Sequence, residues 1–257
     1  MRSYLSLIPI SSKVHRRQNR MTILCIIISV LLVTTIFNVA DMFIRTKNDE
    51  LRNKHGNYHI QLENISQSIG DEISSRSDVT AVGWSKAFNS DAEQPYYIGE
   101  KKATLYGTDS IYLNQLSNAL EEGDFPQCDN EVMLSSNAKI ALEVQIGDNI
   151  TIKTPAGTAN FTVVGFGSDD REYYQGQTYL VAVYMTQSAF TLLMEQNGIS
   201  LNPTCYVQFQ NASKASGAIT EIKEQYNLTE ESISENIAIM GIAGQSKNDS
   251  VKNIYGL

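Results

Sequence analysis

The sequence contains no GxxxxGK[ST] phosphate loop, no HExxH helix and no GxSxG elbow. Those absences remove the commonest nucleotide, zinc and serine-nucleophile chemistries from consideration. Cysteine is scarce: Cys25 lies in an apolar run, leaving Cys128 and Cys205 outside it. Two cysteines do not make a disulfide framework, so separate thiols are expected, although an oxidising compartment would allow the two to pair. His55 and His59 have i,i+4 spacing, but Gly56-Asn57 between them argues against one helix presenting both to a metal. Six Asn-x-Ser/Thr sequons read as coincidence in a chain this rich in Asn, Ser and Thr.

Acid is missing from residues 1–20, which carry Arg2, Lys13, Arg16, Arg17 and Arg20. The whole chain has a net charge of −8, so these five basic residues leave −13 on the remainder. A domain that acidic disfavours nucleic acid, whose phosphate backbone demands the opposite sign. Charge of either sign is missing from residues 21–40, MTILCIIISVLLVTTIFNVA. At 1.5 Å per residue this run spans about 30 Å, the thickness of a bilayer hydrocarbon core. The basic cluster before it places residues 1–20 in the cytoplasm and residues 41–257 outside by the positive-inside bias. A cleaved signal peptide fits less well, because the run exceeds an ordinary h-region and Asn38-Val39-Ala40 is a poor cleavage site. The leader itself mixes apolar and basic residues and is expected to lie on the inner membrane surface as two short pieces broken at Pro9.

What is present beyond the span is an ordinary globular composition, 42% hydrophobic and 19% charged over 257 residues, with no low-complexity linker. Residues 41–55 have helical character up to Gly56 and extend the span as a stalk. The pattern then predicts a strand at 57–63, a helix at 64–76 and a strand at 79–85, together a β-α-β unit. A hairpin follows over 95–109, turning at Gly99-Glu100-Lys101, and then a helix at 111–120. Next come a strand at 131–135, a helix at 136–144, and strands at 149–154 and 158–166 joined at Pro155-Ala156-Gly157. Residues 168–177 read as an exposed loop. A strand at 178–185, a helix at 186–197 capped by Thr186, a strand at 204–210 and a helix at 212–226 complete the outline. The expected fold class is α+β: one N-terminal transmembrane helix, then a mixed α/β extracytoplasmic domain split by an inserted β-rich subdomain. In numbers this gives a leader 1–20, a span 21–44 and an outer domain 45–257, with α/β parts 56–107 and 178–230 around an insert 108–177.

The stretch LEEGDFPQCDNEVML, residues 120–134, gathers Glu121, Glu122, Asp124, Asp129, Glu131 and Cys128. A metal site needs oxygen ligands converging on a point, and the spacing does not match an EF-hand loop. A paired-carboxylate acid/base site has no accompanying substrate pocket in the sequence. Gly123 for a tight turn, Pro126 for a fixed φ and Phe125 as an apolar plug favour a structural turn with its acids on a solvated rim. Ser136-Asn137-Ala138-Lys139 fits the SxxK pattern of penicillin-interacting enzymes, but the companion SDN-like and KTG-like elements are absent in the required order.

The string LEEGDFPQCDNEVMLSSNAKIAL…QIGDNITIKTPAGTANFTVVGF resembles the extracytoplasmic core domain of MacB/FtsX-type ABC-transporter permeases. The matching residues are Leu120, Gly123, Pro126, Asn130, Glu131, Val132, Ala138, Gly147, Asp148, Val163, Val164 and Gly165. Asp124 departs from the family, which commonly has Arg there. The resemblance implies a non-enzymatic membrane subunit, set among membrane lipid and beside a second permease copy. It also implies a partner cytoplasmic ABC ATPase subunit, which binds the ATP. No cofactor, metal or nucleic acid is implied for this polypeptide. Leu120, Gly123, Pro126, Asn130, Glu131, Val132, Gly147, Asp148 and Gly165 are expected to be structural signature residues, with no catalytic residue. Permeases of this type carry at least three further spans, so the sequence reads as a truncated permease or a fragment. The competing readings are a single-pass membrane-anchored sensor or binding module, and, on the SxxK pattern alone, an anchored envelope enzyme.

Overall fold

The computed structural model describes residues 16–88, 96–117, 120–167 and 181–242. Most of the leader, the predicted loop at 168–177 and the last residues of the chain lie outside that range. The chain divides into two units, Met1–Asp49 and Glu50–Leu257.

The first unit consists of most of helix α1, Arg16–His55. Among the described residues it is the one helix long and apolar enough to cross a membrane. From Met21 to Ile44 its large apolar side chains are all exposed, as a lipid-facing surface requires. The polar residues in the run are satisfied locally: Thr34 Oγ1 donates to Val30 O at 2.9 Å and Thr35 Oγ1 to Leu31 O at 2.7 Å. Arg45 and Asp41 form an i,i+4 ion pair at 2.8 Å where charge resumes.

The second unit is built on one continuous sheet of eleven strands among the described residues. Its first part comprises β1 (Ile60–Leu62), α2 (Gln67–Ser74), β2 (Val79–Phe88), β10 (Thr204–Phe209), α5 (Ala215–Tyr226) and β11 (Ile233–Glu235). The strand order is β11-β1-β10-β2, every neighbouring pair antiparallel. Both β-α-β units are therefore split: β10 lies between β1 and β2, and β1 lies between β11 and β10. This is the ferredoxin-like arrangement of two interleaved split β-α-β units. The β-α-β order expected from sequence is present, with β10 lying between its two strands. Ile60, Leu62, Cys205, Val207 and Val82 face a core closed by Ile73 of α2 and Ile219 and Ile222 of α5.

A cap starts α2, and an ion-pair cluster at its end ties it to α5. Ser66 accepts from Ile69 N before α2, and Arg76 just after α2 binds Asp78 and, at 2.8 Å, Glu221 of α5. The residues ahead of α5, Ala212–Lys214, form a 3-10 turn where the pattern predicted α-helix from 212. Asn227 closes α5 in the left-handed conformation.

Between these halves the chain inserts β3 (Tyr96–Ile98), β4 (Lys101–Thr108), β5 (Leu120–Gly123), β6 (Glu131–Ser135), α3 (Ser136–Ala141), β7 (Asn149–Thr154), β8 (Gly157–Gly167), β9 (Val181–Thr186) and α4 (Gln187–Gln196). Six of these strands close on themselves in the order β4-β3-β7-β8-β6-β9 and back to β4. Alternate residues of each strand point into the ring, including Ile98, Leu105, Leu134, Ile152, Val163 and Val183, while Phe190 and Leu193 of α4 pack onto the same core. Strand β4 is the junction. It pairs with β2 through Leu105–Thr108 and with β3 through Lys101–Ala103, while β9 runs parallel to it over 103–108.

Two predicted helices are shorter than their patterns. The segment 111–120 forms a π-helical turn at Tyr112–Leu116, and Leu120–Gly123 is a strand instead, because β8 offers its edge at Gly165–Gly167. The helix predicted at 136–144 stops at Ala141, since Glu143 adopts a left-handed φ of 54°.

Candidate functional site

The turn at residues 123–131 leads from β5 into β6 on the rim of the ring. Glu131 opens β6, and its carboxylate accepts from Gln127 N at 2.8 Å and Cys128 N at 3.1 Å. Its own N–H donates to Cys128 O at 3.0 Å, so one residue holds both ends of the turn. Asn130 O accepts from Thr162 N at 2.8 Å, which starts the parallel pairing of β6 with β8. Pro126 is buried, Val132 is fully buried in the ring core, and Leu120 and Phe125 pack on a tyrosine-rich cluster beside it. Gly147 N donates to Val163 O, and Asp148 O accepts from Val163 N, which seats the entry to β7 against β8. Asp148 Oδ2 also accepts from Gln145 N at 2.8 Å. Gly123 and Gly165 are opposite each other in the β5–β8 pair.

The carboxylates of this stretch do not converge. Glu122 binds Lys139 Nζ at 2.5 Å, Glu131 serves the turn, and Asp129 accepts from the hydroxyls of Thr186 and Ser188. Those hydroxyls hold the Asp129 carboxyl below its ordinary range. No group of three His, Cys, Asp or Glu side chains able to hold a metal occurs among the described residues. In the Ser136–Lys139 pattern the Lys139 ammonium is engaged by Glu122 and lies 5.5 Å from the Phe166 ring centroid.

A sequence-level reading missed two concave places. One, of about 390 Å³, runs beside the signature turn, with Asp129, Asn130, Asn160 and Gln196 around the apolar Phe161 and Leu192. The other, of about 380 Å³, lies by His59, whose ring is buried and accepts from Phe209 N at Nδ1, 3.1 Å away. His55 is the last residue of α1, and His59 lies just ahead of β1 with its Nδ1 engaged by Phe209 N. The hint for both was only alternation, since each depends on pairings between distant strands.

A family model described as the MacB-like periplasmic core domain matches residues 21–225. The chain belongs to that family. It is thus a MacB-like ABC-transporter permease chain, a membrane protein with an extracytoplasmic domain. Among solved structures, it is similar to the periplasmic region of MacB from Actinobacillus actinomycetemcomitans, at 17% identity and a TM-score of 0.49, covering 77% of this chain and 97% of that one. It is also similar to a domain assigned to a permease protein of Porphyromonas gingivalis, at 9% identity and a TM-score of 0.42, covering 68% and 77%. No curated protein matches the sequence.

Within this MacB-like domain, Asp124 contributes its backbone to the turn, donating to Val164 O at 2.9 Å, while its side chain is exposed. The three cysteines are free thiols: Cys128 is exposed, Cys25 is exposed on α1, and Cys205 is buried in the core beneath α5.

Proposed function

We propose that this chain acts as the permease subunit of a MacB/FtsX-type ABC transporter, transmitting the work of a separate cytoplasmic ATPase to its extracytoplasmic domain. The observation that carries the reading is the family match across residues 21–225, which takes in the apolar helix as well as the outer domain. The basic leader orients the N-terminus to the cytoplasm, where the ATPase operates. The outer domain, residues 45–257, handles peptide, lipid or envelope substrates. Its α/β parts at 56–107 and 178–230 act as the base and the β-rich insert at 108–177 as the working head. A second permease copy and the surrounding lipid complete the assembly. The chain itself binds no ATP and performs no catalysis. Leu120, Gly123, Pro126, Asn130, Glu131, Val132, Gly147, Asp148 and Gly165 serve the shape of the head rather than chemistry.

The test is purification of the full-length protein from its native membranes under mild detergent. An ATPase subunit with a phosphate loop should accompany it in fixed ratio, and its hydrolysis rate should change when the permease is removed. Recovery of the permease free of any ATPase, across several detergents, would reject the reading in favour of a stand-alone anchored module.

A further inference from the structure

The cleft beside His59 forms where three neighbouring strands meet a helix. Asn57 and His59 lead into β1, Gln208 and Gln210 stand at the end of β10, and Thr80 lies on β2. Phe209 and Ile239, the latter from the helix Ile237–Ile242, add apolar lining. A bulge shapes the place: Gln208 pairs with Ala81 and Phe209 with Val79, which leaves Thr80 as the extra residue. The His59 N–H donates to Val207 O at 2.9 Å. One step further along β10 its imidazole Nδ1 stands in for a carbonyl and accepts from Phe209 N at 3.1 Å. The ring is thereby fixed in the ladder between β1 and β10.

The hydrogen-bonding groups of this lining are uncharged and of mixed sense. With Nδ1 accepting, the proton of His59 sits on Nε2. Burial, and then the charge of Arg52, push the pKa down to about 4, so the ring is a neutral donor at pH 7. Nε2 has no protein partner, yet among the described residues the one buried side-chain polar atom left without a partner is the Tyr96 hydroxyl. The Nε2–H is therefore reached by solvent, through the cleft that His59 lines. Among the described residues the side chains of Asn57, Thr80, Gln208 and Gln210 also have no hydrogen-bond partner. Each carboxamide offers a donor beside an acceptor, and the Thr80 hydroxyl is both. No carboxylate lines the cleft, so a cation finds no countercharge, and a purely apolar ligand would strand the donors. Strands β1 and β10 are each paired on both sides, which leaves a peptide no edge there to join. A saccharide fits this pattern: its neighbouring hydroxyls each donate and accept, and its C–H faces suit Phe209 and Ile239. The volume of about 380 Å³ has room for about one or two pyranose rings.

We propose that this cleft binds an uncharged saccharide, held by the His59 Nε2–H, the Thr80 hydroxyl and the carboxamides of Asn57, Gln208 and Gln210. The guanidinium of Arg52 is not called on, and the site does not depend on the transport reading.

The full chain, labelled with 15N-histidine, is studied at pH 7 in micelles of octaethylene glycol dodecyl ether, which carry no sugar. Glucose, galactose, mannose and N-acetylglucosamine are titrated in turn, and N-acetylglycinamide stands in for a peptide. At least one sugar should shift the His59 imidazole resonance saturably. Thr80→Val and Gln208→Leu should each weaken that binding about tenfold. Thr158→Val, the same change at an exposed threonine of β8, should leave it as it was. A saturable shift with none of the sugars overturns the proposal. So does a shift that ignores both cleft variants, or one that Thr158→Val weakens as much as Thr80→Val. Saturation by N-acetylglycinamide at a lower concentration than by any sugar overturns it in favour of a peptide.

Discussion

Gly123 and Gly165 stand opposite each other where β5 crosses β8, and neither has room for a side chain. A Cβ on Gly123 would lie 2.3 Å from Val164 O, and one on Gly165 would lie 2.4 Å from Asp124 O. Both obstacles are backbone, which cannot swing aside as a flexible side chain would. Gly123 also has a φ of 82°, a conformation disfavoured for other residues.

Gly165→Ala should therefore cost about 3 kcal/mol of unfolding free energy, at the upper end of ordinary substitutions. Gly123→Ala should cost at least as much, because strain adds to the clash. The two positions face each other across the β5–β8 pair, so one shift of the strands relieves part of both clashes and the double variant should lose less than the two single losses combined. Denaturant unfolding of all three variants measures this, and simple additivity would show that the two positions act separately.

Tyr96 is fully buried in the ring, and among the described residues its hydroxyl is the one buried side-chain polar atom without a hydrogen-bond partner. Burial also raises the pKa of that phenol, so it stays neutral. Its ring is well placed, 4.7 Å from Phe88 between centroids. Tyr96→Phe keeps the ring and removes the stranded hydroxyl. The variant should be more stable by about 1 kcal/mol, read as a higher midpoint in urea at an unchanged slope. A loss of stability would reveal a partner for the hydroxyl.

The two cysteines of the outer domain should separate cleanly by reactivity. Burial pushes the Cys205 thiol up to about 12, aided by the charges of Asp109 and Asp71, whereas Cys128 is exposed on the signature turn. Under native conditions at pH 8 a water-soluble maleimide should label Cys128 in minutes and leave Cys205 untouched until denaturant is added. Mass spectrometry of tryptic peptides reads both sites. Equal labelling of the two would mean that the core under α5 opens readily.

The ease of reading this fold from its sequence followed the range of the interactions involved. Strands β6 and β7 were legible to the residue, because short alternating runs sit between turn formers. The Thr186 cap was legible too, and its hydroxyl accepts from Ala189 N at 3.2 Å. Strand β5 was not, since LEEG has no strand character of its own and exists as a strand because β8 presents a free edge. The place of β10 between β1 and β2 was equally hidden, as 119 to 147 residues separate partners whose pairing has no local mark. At the signature turn, residue types pointed to a structural role, but the capping of Gln127 and Cys128 N–H by Glu131 required the folded geometry. The His59 cleft required still more: it depends on the bulge at Thr80, which alternation alone cannot locate.

His59 gives the fold a definite acid sensitivity. In the unfolded chain its pKa is near 6.5, and in the folded domain it is about 4, lowered first by burial and then by Arg52. Between these values the unfolded chain binds a proton that the folded chain does not, so stability falls as pH falls. The contribution is fully present above pH 6.5, begins to be lost below it, and is gone once pH passes below about 4. The shift corresponds to about 3 kcal/mol between those limits. Asp78 and Asp129, whose pKa values are lowered by Arg76 and by the Ser188 and Thr186 hydroxyls respectively, lose their contributions lower still, below the ordinary carboxylate range. Burial raises the pKa of Asp109, which acts in the opposite sense as pH falls but equally in wild type and a His59 variant, so the difference between the two proteins from pH 6.5 to 4.5 reports on His59. Urea midpoints measured across that window should fall steeply in the wild type and much less in His59→Gln, which keeps an acceptor for Phe209 N but cannot titrate. Parallel slopes for the two proteins would mean that His59 is not the group whose protonation the folded domain resists.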